Sequence, residues 1–176
     1  MKKRTWPLFA WIGILTAAGG VFLFSKTVMV LSVSNLDHPC SLVFKIAPSE
    51  PFAMFYTHSI YDAPVEEIFE ASSGHIILRS VKTDSPAVLE YYGFEGTEPF
   101  QDVNANLGPT FTVKVGMRQE QRLAVGERRI DLRTISNQGD RIRLSLDAFP
   151  MPLYFLSSVF QYLKSHASVK GDEGRG

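Results

Sequence analysis

The stretch that decides the fold runs from residue 52 to residue 71 and reads FAMFYTHSIYDAPVEEIFEA. In each half of it, every second residue belongs to one face of a strand: Phe52, Met54, Tyr56, His58 and Ile60, and then Val65, Glu67, Phe69 and Ala71. Side chains two residues apart share a strand face, so this alternation predicts two β-strands. The intervening residues 61–64 (Tyr-Asp-Ala-Pro) are typical of a turn and predict a hairpin.

A four-residue loop at 61–64 sets the expected register of this hairpin. Opposing pairs are then Ile60 with Val65, His58 with Glu67, Tyr56 with Phe69 and Met54 with Ala71. A carboxylate among apolar residues is costly unless it is paired, so we predict a cross-strand contact between His58 and Glu67. Two interpretations of this pair stay open: a structural bridge that fixes the register, which we favour, and a polar spot that binds a small ligand.

Alternation continues along most of the chain. Ile76, Leu78 and Ser80 are expected to lie opposite Ala71, Phe69 and Glu67 after a turn at 72–75. Further strands are predicted at 28–33, 42–46 and 111–115, and a second hairpin joins 130–134 to 142–146. Residues 95–109 are rich in turn-forming residues and predict a long loop. We therefore expect an all-β fold, an antiparallel β-sandwich or barrel-like domain over residues 27–147.

The N-terminal segment, residues 1–26, predicts a membrane anchor. Thr5–Ser25 contains no charged residue and follows Lys2-Lys3-Arg4. A helix over this range is about 31 Å long, enough to cross a hydrocarbon core of about 30 Å. The basic residues belong on the cytoplasmic side, which predicts a single-pass protein of the cell (inner) membrane with an extracytoplasmic β-domain. The alternative is a signal peptide cleaved near residues 16–18, which leaves a secreted or periplasmic protein.

The C-terminal part begins with a second uncharged segment, Ala148–Leu163. We predict a short helix over 148–164, started by Pro150 and Pro152, and a disordered tail over 165–176. One interpretation has this helix packing against an open end of the β-domain, which we favour. The other has it lying on the membrane or on a partner.

Composition narrows the classes of function. The formal net charge is zero and no basic stripe occurs, so we expect no nucleic-acid partner. His58 and Ser59 point to opposite faces of a strand, which excludes them as a base–nucleophile pair, and no catalytic motif is present. A metal site combining His58 and Glu67 with His75 or His38 has no supporting spacing. We expect no catalytic residue, no cofactor and no enzymatic activity.

The hairpin also carries a resemblance to a known family. Tyr56-Thr57-His58-Ser59, followed by Pro64-Val65-Glu66-Glu67-Ile68-Phe69, resembles the motif of the domain of unknown function 1850 family. The resemblance covers roughly residues 28–146 and implies motif positions at Tyr56, His58, Ser59, Pro64 and Glu67, with no catalysis assigned to them. It also implies a small membrane or exported β-domain of the kind often encoded beside TRAP-type transporters that use TAXI solute receptors. A Gly-Ala-Gly-Leu-Pro-like loop expected after the strand at 76–83 is missing, and only Gly93 stands for it.

Two functions follow from these observations. The first is a non-enzymatic, membrane-anchored accessory protein that acts with TRAP-type transporter subunits or a TAXI solute receptor. The second is a β-module that binds a small solute or a metal through His58, Glu67 and the tyrosines Tyr56, Tyr91 and Tyr92.

Overall fold

The computed structural model describes residues 24–96, 98–116 and 120–170 together with Trp11 and Gly20, and only the backbone of residues 162–170. The strands are β1 (Thr27–Asn35), β2 (Ser41–Lys45), β3 (Pro51–His58), β4 (Ala63–Ser72), β5 (His75–Lys82), β6 (Phe100–Asn106), β7 (Thr110–Lys114), β8 (Arg122–Val125), β9 (Arg128–Asp131) and β10 (Arg141–Pro150). The helices are α1 (Pro86–Tyr91) and α2 (Met151–Lys170), with a 3-10 turn at Leu132–Thr134. The chain divides into two compact units, Met29–Asp147 and the combination of Met1–Val28 with Ala148–Gly176.

The strands form two sheets. One has four strands in the order β2-β1-β10-β7, and the other has six in the order β6-β5-β4-β3-β8-β9. All neighbouring strands of the six-stranded sheet pair antiparallel. The predicted all-β, antiparallel class is therefore confirmed.

One hydrophobic core is shared by the two sheets. Residues of β1, β2 and β10 belong to the same buried cluster as residues of β3, β4, β5 and β8. Phe69 of β4 stacks on Phe52 of β3 with ring centroids 5.1 Å apart, and on Phe111 of β7 at 5.2 Å. Because β7 belongs to the other sheet, this stack joins the two layers, as expected of two sheets packed face to face.

The predicted register of the first hairpin is wrong by four residues. Tyr56 lies opposite Val65, Met54 opposite Glu67, and His58 opposite Ala63. The loop is 59–62, closed by the Asp62 N–H donating to the His58 carbonyl at 2.9 Å. An even shift preserves the faces, so the predicted facial pattern survives although His58 and Glu67 do not face each other.

The cause of this error lies in the loop. Ile60 has the apolar character of a core residue but lies in the loop and is 70% exposed, whereas Ala63 is buried and begins β4. Asp62 has φ +50°, a conformation that Asp tolerates better than most residues, which lets the chain reverse there.

Other predicted pairings are partly correct. Ala71 and Phe69 lie opposite Ile76 and Leu78 as expected, but a bulge follows and Val81 rather than Ser80 lies opposite Glu67. The bulge lets Val81, which is fully buried, take the next core position.

The second predicted hairpin is not formed. Arg128–Asp131 pairs with β8, and β10 pairs with β7, where Leu144 lies opposite Phe111. The 3-10 turn after β9 breaks the alternation and directs the chain into the other sheet. The predicted long loop at 95–109 is also wrong, because it contains β6.

The structure describes the two predicted end segments to different extents. Thr5–Ser25 lies almost entirely outside the described residues, and no helix in the described part is long and apolar enough to cross a membrane. The C-terminal helix is present but runs from Met151 to Lys170 rather than over 148–164, since residues 148–150 belong to β10 and no Gly or Pro occurs between 153 and 170. The predicted disordered tail is therefore helical over 165–170, and its remainder, 171–176, lies outside the described residues. Among the side chains that the structure describes in this helix, five large apolar ones are exposed: Leu153, Phe155, Leu156, Val159 and Phe160.

Candidate functional site

Glu67 forms the centre of a polar cluster on the core side of the six-stranded sheet. The hydroxyl of Tyr92 donates to Glu67 Oε1 at 2.6 Å, and the hydroxyl of Tyr56 donates to the same oxygen at 3.1 Å. The two hydroxyl oxygens are 2.5 Å apart. We call Tyr56, Glu67 and Tyr92 the tyrosine–carboxylate cluster. It supplies the partners that a carboxylate in such a position requires.

The strands place Tyr56 and Glu67 directly. Because Tyr56 lies opposite Val65, Glu67 is its diagonal neighbour on the same sheet face, within reach of a long aromatic side chain. Tyr92 comes from the end of α1. This helix buries Val88 and Leu89, and the chain leaves it through Gly93 at φ +83°, with the Phe94 N–H donating to the Leu89 carbonyl at 3.0 Å.

Burial raises the pKa of both cluster tyrosines well above the ordinary value of a phenol, and the neighbouring Glu67 carboxylate raises each pKa further. Both phenols therefore stay protonated at neutral pH. They serve as hydrogen-bond donors to the carboxylate and are unsuited to act as bases or nucleophiles.

His58 lies in an aromatic environment next to this cluster. It is 7% exposed, and its Nδ1 accepts the backbone N–H of Ile60 at 3.4 Å. Its ring stacks on Tyr61 with centroids 5.2 Å apart and meets the edge of Tyr91 at 4.9 Å. Because this Nδ1 accepts a hydrogen bond, the neutral tautomer with its proton on Nε2 fits the geometry.

The rings continue from the loop into α1 and beyond. Tyr91 contacts Tyr92 at 5.9 Å, and Tyr92 stacks on Phe94 at 6.4 Å. We call Tyr61, His58, Tyr91, Tyr92 and Phe94 the aromatic row. It attaches α1 to the β3–β4 hairpin, so the row and the tyrosine–carboxylate cluster form one continuous site with Tyr92 in both.

The structure thus brings together most of the residues singled out in the sequence. Tyr56, His58, Glu67, Tyr91 and Tyr92 all belong to the site, although Glu67 is bonded to tyrosines rather than to His58. The two remaining motif positions lie elsewhere. Ser59 is an exposed loop residue, and Pro64 is exposed on β4 opposite Thr57.

Sequence reasoning missed Tyr61, Phe94 and the helix that carries the two adjacent tyrosines. Tyr61 lies in the turn, as predicted, but its ring also covers His58. The helix had a readable signal: Pro86 stands in its first turn and Gly93 follows its end, the usual asymmetry of helix termini.

A separate polar network lies at the β1–β2 loop. Arg141 donates to both carboxylate oxygens of Asp37 through its side chain, with the shorter contact at 2.7 Å, and its backbone N–H donates at 2.8 Å. These bonds lower the pKa of Asp37 to about 2. Asn35 donates to Asp140 at 2.8 Å beside it. The network ties the β1–β2 loop to the start of β10.

The alternative of a metal site at His58 and Glu67 gains no support from the described residues. Among the residues that the structure describes, no group of three or more His, Cys, Asp or Glu side chains is arranged to hold a metal ion. Glu67 Oε1 accepts from the phenols of Tyr56 and Tyr92.

Comparisons with protein-family models, curated proteins and solved structures found no match to this chain. The site is therefore interpreted from its own geometry.

Proposed function

We propose that this protein is a non-enzymatic, membrane-anchored accessory protein whose extracytoplasmic β-domain works with a TRAP-type transporter of the TAXI subclass. The observation that carries this proposal is the exposed apolar surface of α2. Support also comes from the uncharged Thr5–Ser25 segment and from the resemblance of the Tyr56–Phe69 motif to the domain of unknown function 1850 family.

The apolar surface of α2 is organised along the helix. Pro152, Phe155, Leu156 and Val159 follow helical spacing and, with Met151, line an apolar hollow of about 460 Å³. Phe155 is 57% exposed and Leu156 is 68% exposed. A contiguous apolar surface of this kind typically marks a docking or membrane contact.

Two polar side chains of α2, at 157 and 158, bond to the backbone of the helix itself. Ser157 and Ser158 both donate their hydroxyl protons to the Tyr154 carbonyl, at 2.7 and 2.9 Å. Their hydrogen-bonding capacity is therefore partly satisfied within the helix, which suits a helix that contacts another apolar surface.

The sharpest test deletes the gene and measures solute uptake by the transporter encoded beside it. We then restore the gene as wild type, as Phe160→Ser and as Ile60→Ser. Phe160 and Ile60 are both 70% exposed, but only Phe160 lies on α2. We expect Phe160→Ser to reduce uptake and co-purification of transporter subunits and Ile60→Ser to leave both unchanged. Normal uptake after deletion, with no transporter subunit co-purifying with the wild-type protein, would rule the proposal out.

The alternative function, a solute- or metal-binding module at His58 and Glu67, has weaker support. The aromatic row covers His58 on two sides, and the phenols of Tyr56 and Tyr92 both donate to Glu67 Oε1. We interpret this site as the attachment of α1 to the hairpin.

A further inference from the structure

The six-stranded sheet carries a groove on the face turned away from the core. Its volume is about 680 Å³, within the range of roughly 300–1,000 Å³ typical of small-molecule sites. Half-buried Phe55, Thr57 and Ala124 lie along its floor, and charged residues of β4, β5, β8 and β9 form its walls. Tyr56 of the tyrosine–carboxylate cluster is also among the residues that line the groove, whereas Glu67 and the aromatic row are not.

The sheet register arranges the charges around Phe55. Phe55 lies between Glu66 of β4 and Arg122 of β8. Lys82 lies opposite Glu66, with its Nζ 3.9 Å from the carboxylate, and Arg122 forms an ion pair with Glu120. These four charges therefore neutralise each other in pairs on the two sides of the ring.

The third cation that lines the groove, after Lys82 and Arg122, is Arg129. It is exposed on β9, lies opposite Ala124, and has no ion pair among the residues that the structure describes. Asp131 shares this face of β9, but it lies opposite Arg122 rather than Ala124, and its Oδ1 accepts the Arg133 backbone N–H at 2.9 Å. Asp84 stands at the far wall, four strands away, which is about 19 Å at ordinary strand spacing and too far to neutralise Arg129.

We propose that this groove binds a small organic carboxylate with a flat apolar body. The carboxylate contacts the Arg129 guanidinium, whose planar fork matches two carboxylate oxygens. The apolar body lies on Phe55 and Ala124, where ring stacking adds to apolar burial. Strands β3 and β9 are two positions apart, about 10 Å, which a ring joined to a carboxylate by a short chain can span between the two side chains.

The test is a titration of the full-length, ¹⁵N-labelled protein followed by amide chemical shifts. The probes are 3-phenylpropionate, its neutral counterpart 3-phenylpropan-1-ol and the cation 2-phenylethylamine. We expect saturable shifts in β3, β8 and β9 with the carboxylate, weaker binding of the alcohol and no binding of the amine.

Variants separate the two contacts. Arg129→Ala should weaken 3-phenylpropionate binding by about tenfold or more, in line with the loss of a charged hydrogen bond, and Arg129→Lys should restore part of it. Arg143→Ala is the matched control, since Arg143 is an exposed arginine on β10 of the other sheet. Phe55→Ala should weaken binding of both the carboxylate and the alcohol. The amide spectrum of each variant shows directly whether it is folded.

Three outcomes would overturn the proposal. They are the absence of saturable shifts with 3-phenylpropionate, an Arg129→Ala variant that binds as tightly as Arg143→Ala, and amine binding equal to carboxylate binding. None of them bears on the docking role of α2, because that role is read from uptake and co-purification.

Discussion

Replacing Tyr92 with Phe tests whether the tyrosine–carboxylate cluster stabilises the fold. The substitution removes one hydroxyl and keeps the ring, so the contacts with Tyr91 and Phe94 are preserved. What is lost is the donor to Glu67 at 2.6 Å and the short contact with the Tyr56 hydroxyl.

The size of the effect follows from what remains. A hydrogen bond to a charged group contributes about 1.5–3 kcal/mol. Glu67 keeps the Tyr56 hydroxyl as a donor, and Tyr92 is only partly buried, so both facts reduce the loss. We expect the free energy of unfolding to fall by about 1–2 kcal/mol.

The assay is urea unfolding of the full-length protein, with Tyr61→Phe as the control. Tyr61 is 43% exposed, and its hydroxyl has no hydrogen-bond partner among the described residues. With a urea dependence of about 2 kcal/mol per molar, Tyr92→Phe should lower the midpoint by about 0.5–1 M at unchanged slope. Tyr61→Phe should shift the free energy by less than about 0.5 kcal/mol.

A double-mutant cycle with Glu67→Gln identifies the partner. The effects of Tyr92→Phe and Glu67→Gln should be non-additive, because the two residues share one hydrogen bond. Equal midpoints for Tyr92→Phe and Tyr61→Phe, or fully additive effects in the cycle, would refute the reasoning.

Three further predictions concern the core, acid and alkali. Phe69→Ala should lower the free energy of unfolding by about 3–5 kcal/mol, because a fully buried ring stacked on two others is lost. Urea unfolding measures this, and Phe100→Ala, at an exposed position, should lower the free energy far less. The lowered pKa of Asp37 means that its contribution to stability is present above pH about 4 and is lost as the pH falls toward about 2. In unfolding measured across this pH range, Asp37→Asn should therefore lose less stability on acidification than the wild type does. The raised pKa of both cluster tyrosines means that the free energy of unfolding should fall as the pH rises above about 10. A spectrophotometric titration should show two phenols that ionise only when the protein unfolds. Ionisation of these two phenols in the still-folded protein near pH 10 would contradict this.

The faces of the strands could be predicted from the sequence, whereas their pairing could not. Phe52, Met54 and Phe69 are buried as their alternation indicates, because burial depends on a period of two that is visible locally. The register depends on where the loop begins. Ile60 and Ala63 have reversed roles relative to their hydrophobicity, and no local pattern reveals that.

The sequence indicated which residues belong to the site better than it indicated which of them form hydrogen bonds with each other. Glu67 on an apolar face requires a partner, and this requirement is visible in the sequence. Its true partner Tyr92 comes from α1, which lies beyond β5, and only the tertiary fold brings that helix to the hairpin. Two other features depend on packing between the sheets, which the alternation within a strand does not encode. They are the bulge before Phe69 and the position of β10 in the four-stranded sheet.

The open sheets have a consequence for self-association. Strands β2, β7, β9 and β6 are edges, whose free backbone groups invite pairing with another copy. On the first three edges, such pairing is disfavoured by exposed cationic side chains: Lys45, Lys114 and Arg128. Strand β6 has no Lys or Arg, and instead it is irregular: its register shifts against β5, and Asn104 takes φ +55°. Cationic residues on three edges, and the exposed Asp102 together with a bend on the fourth, thus oppose the growth of continuous intermolecular sheets.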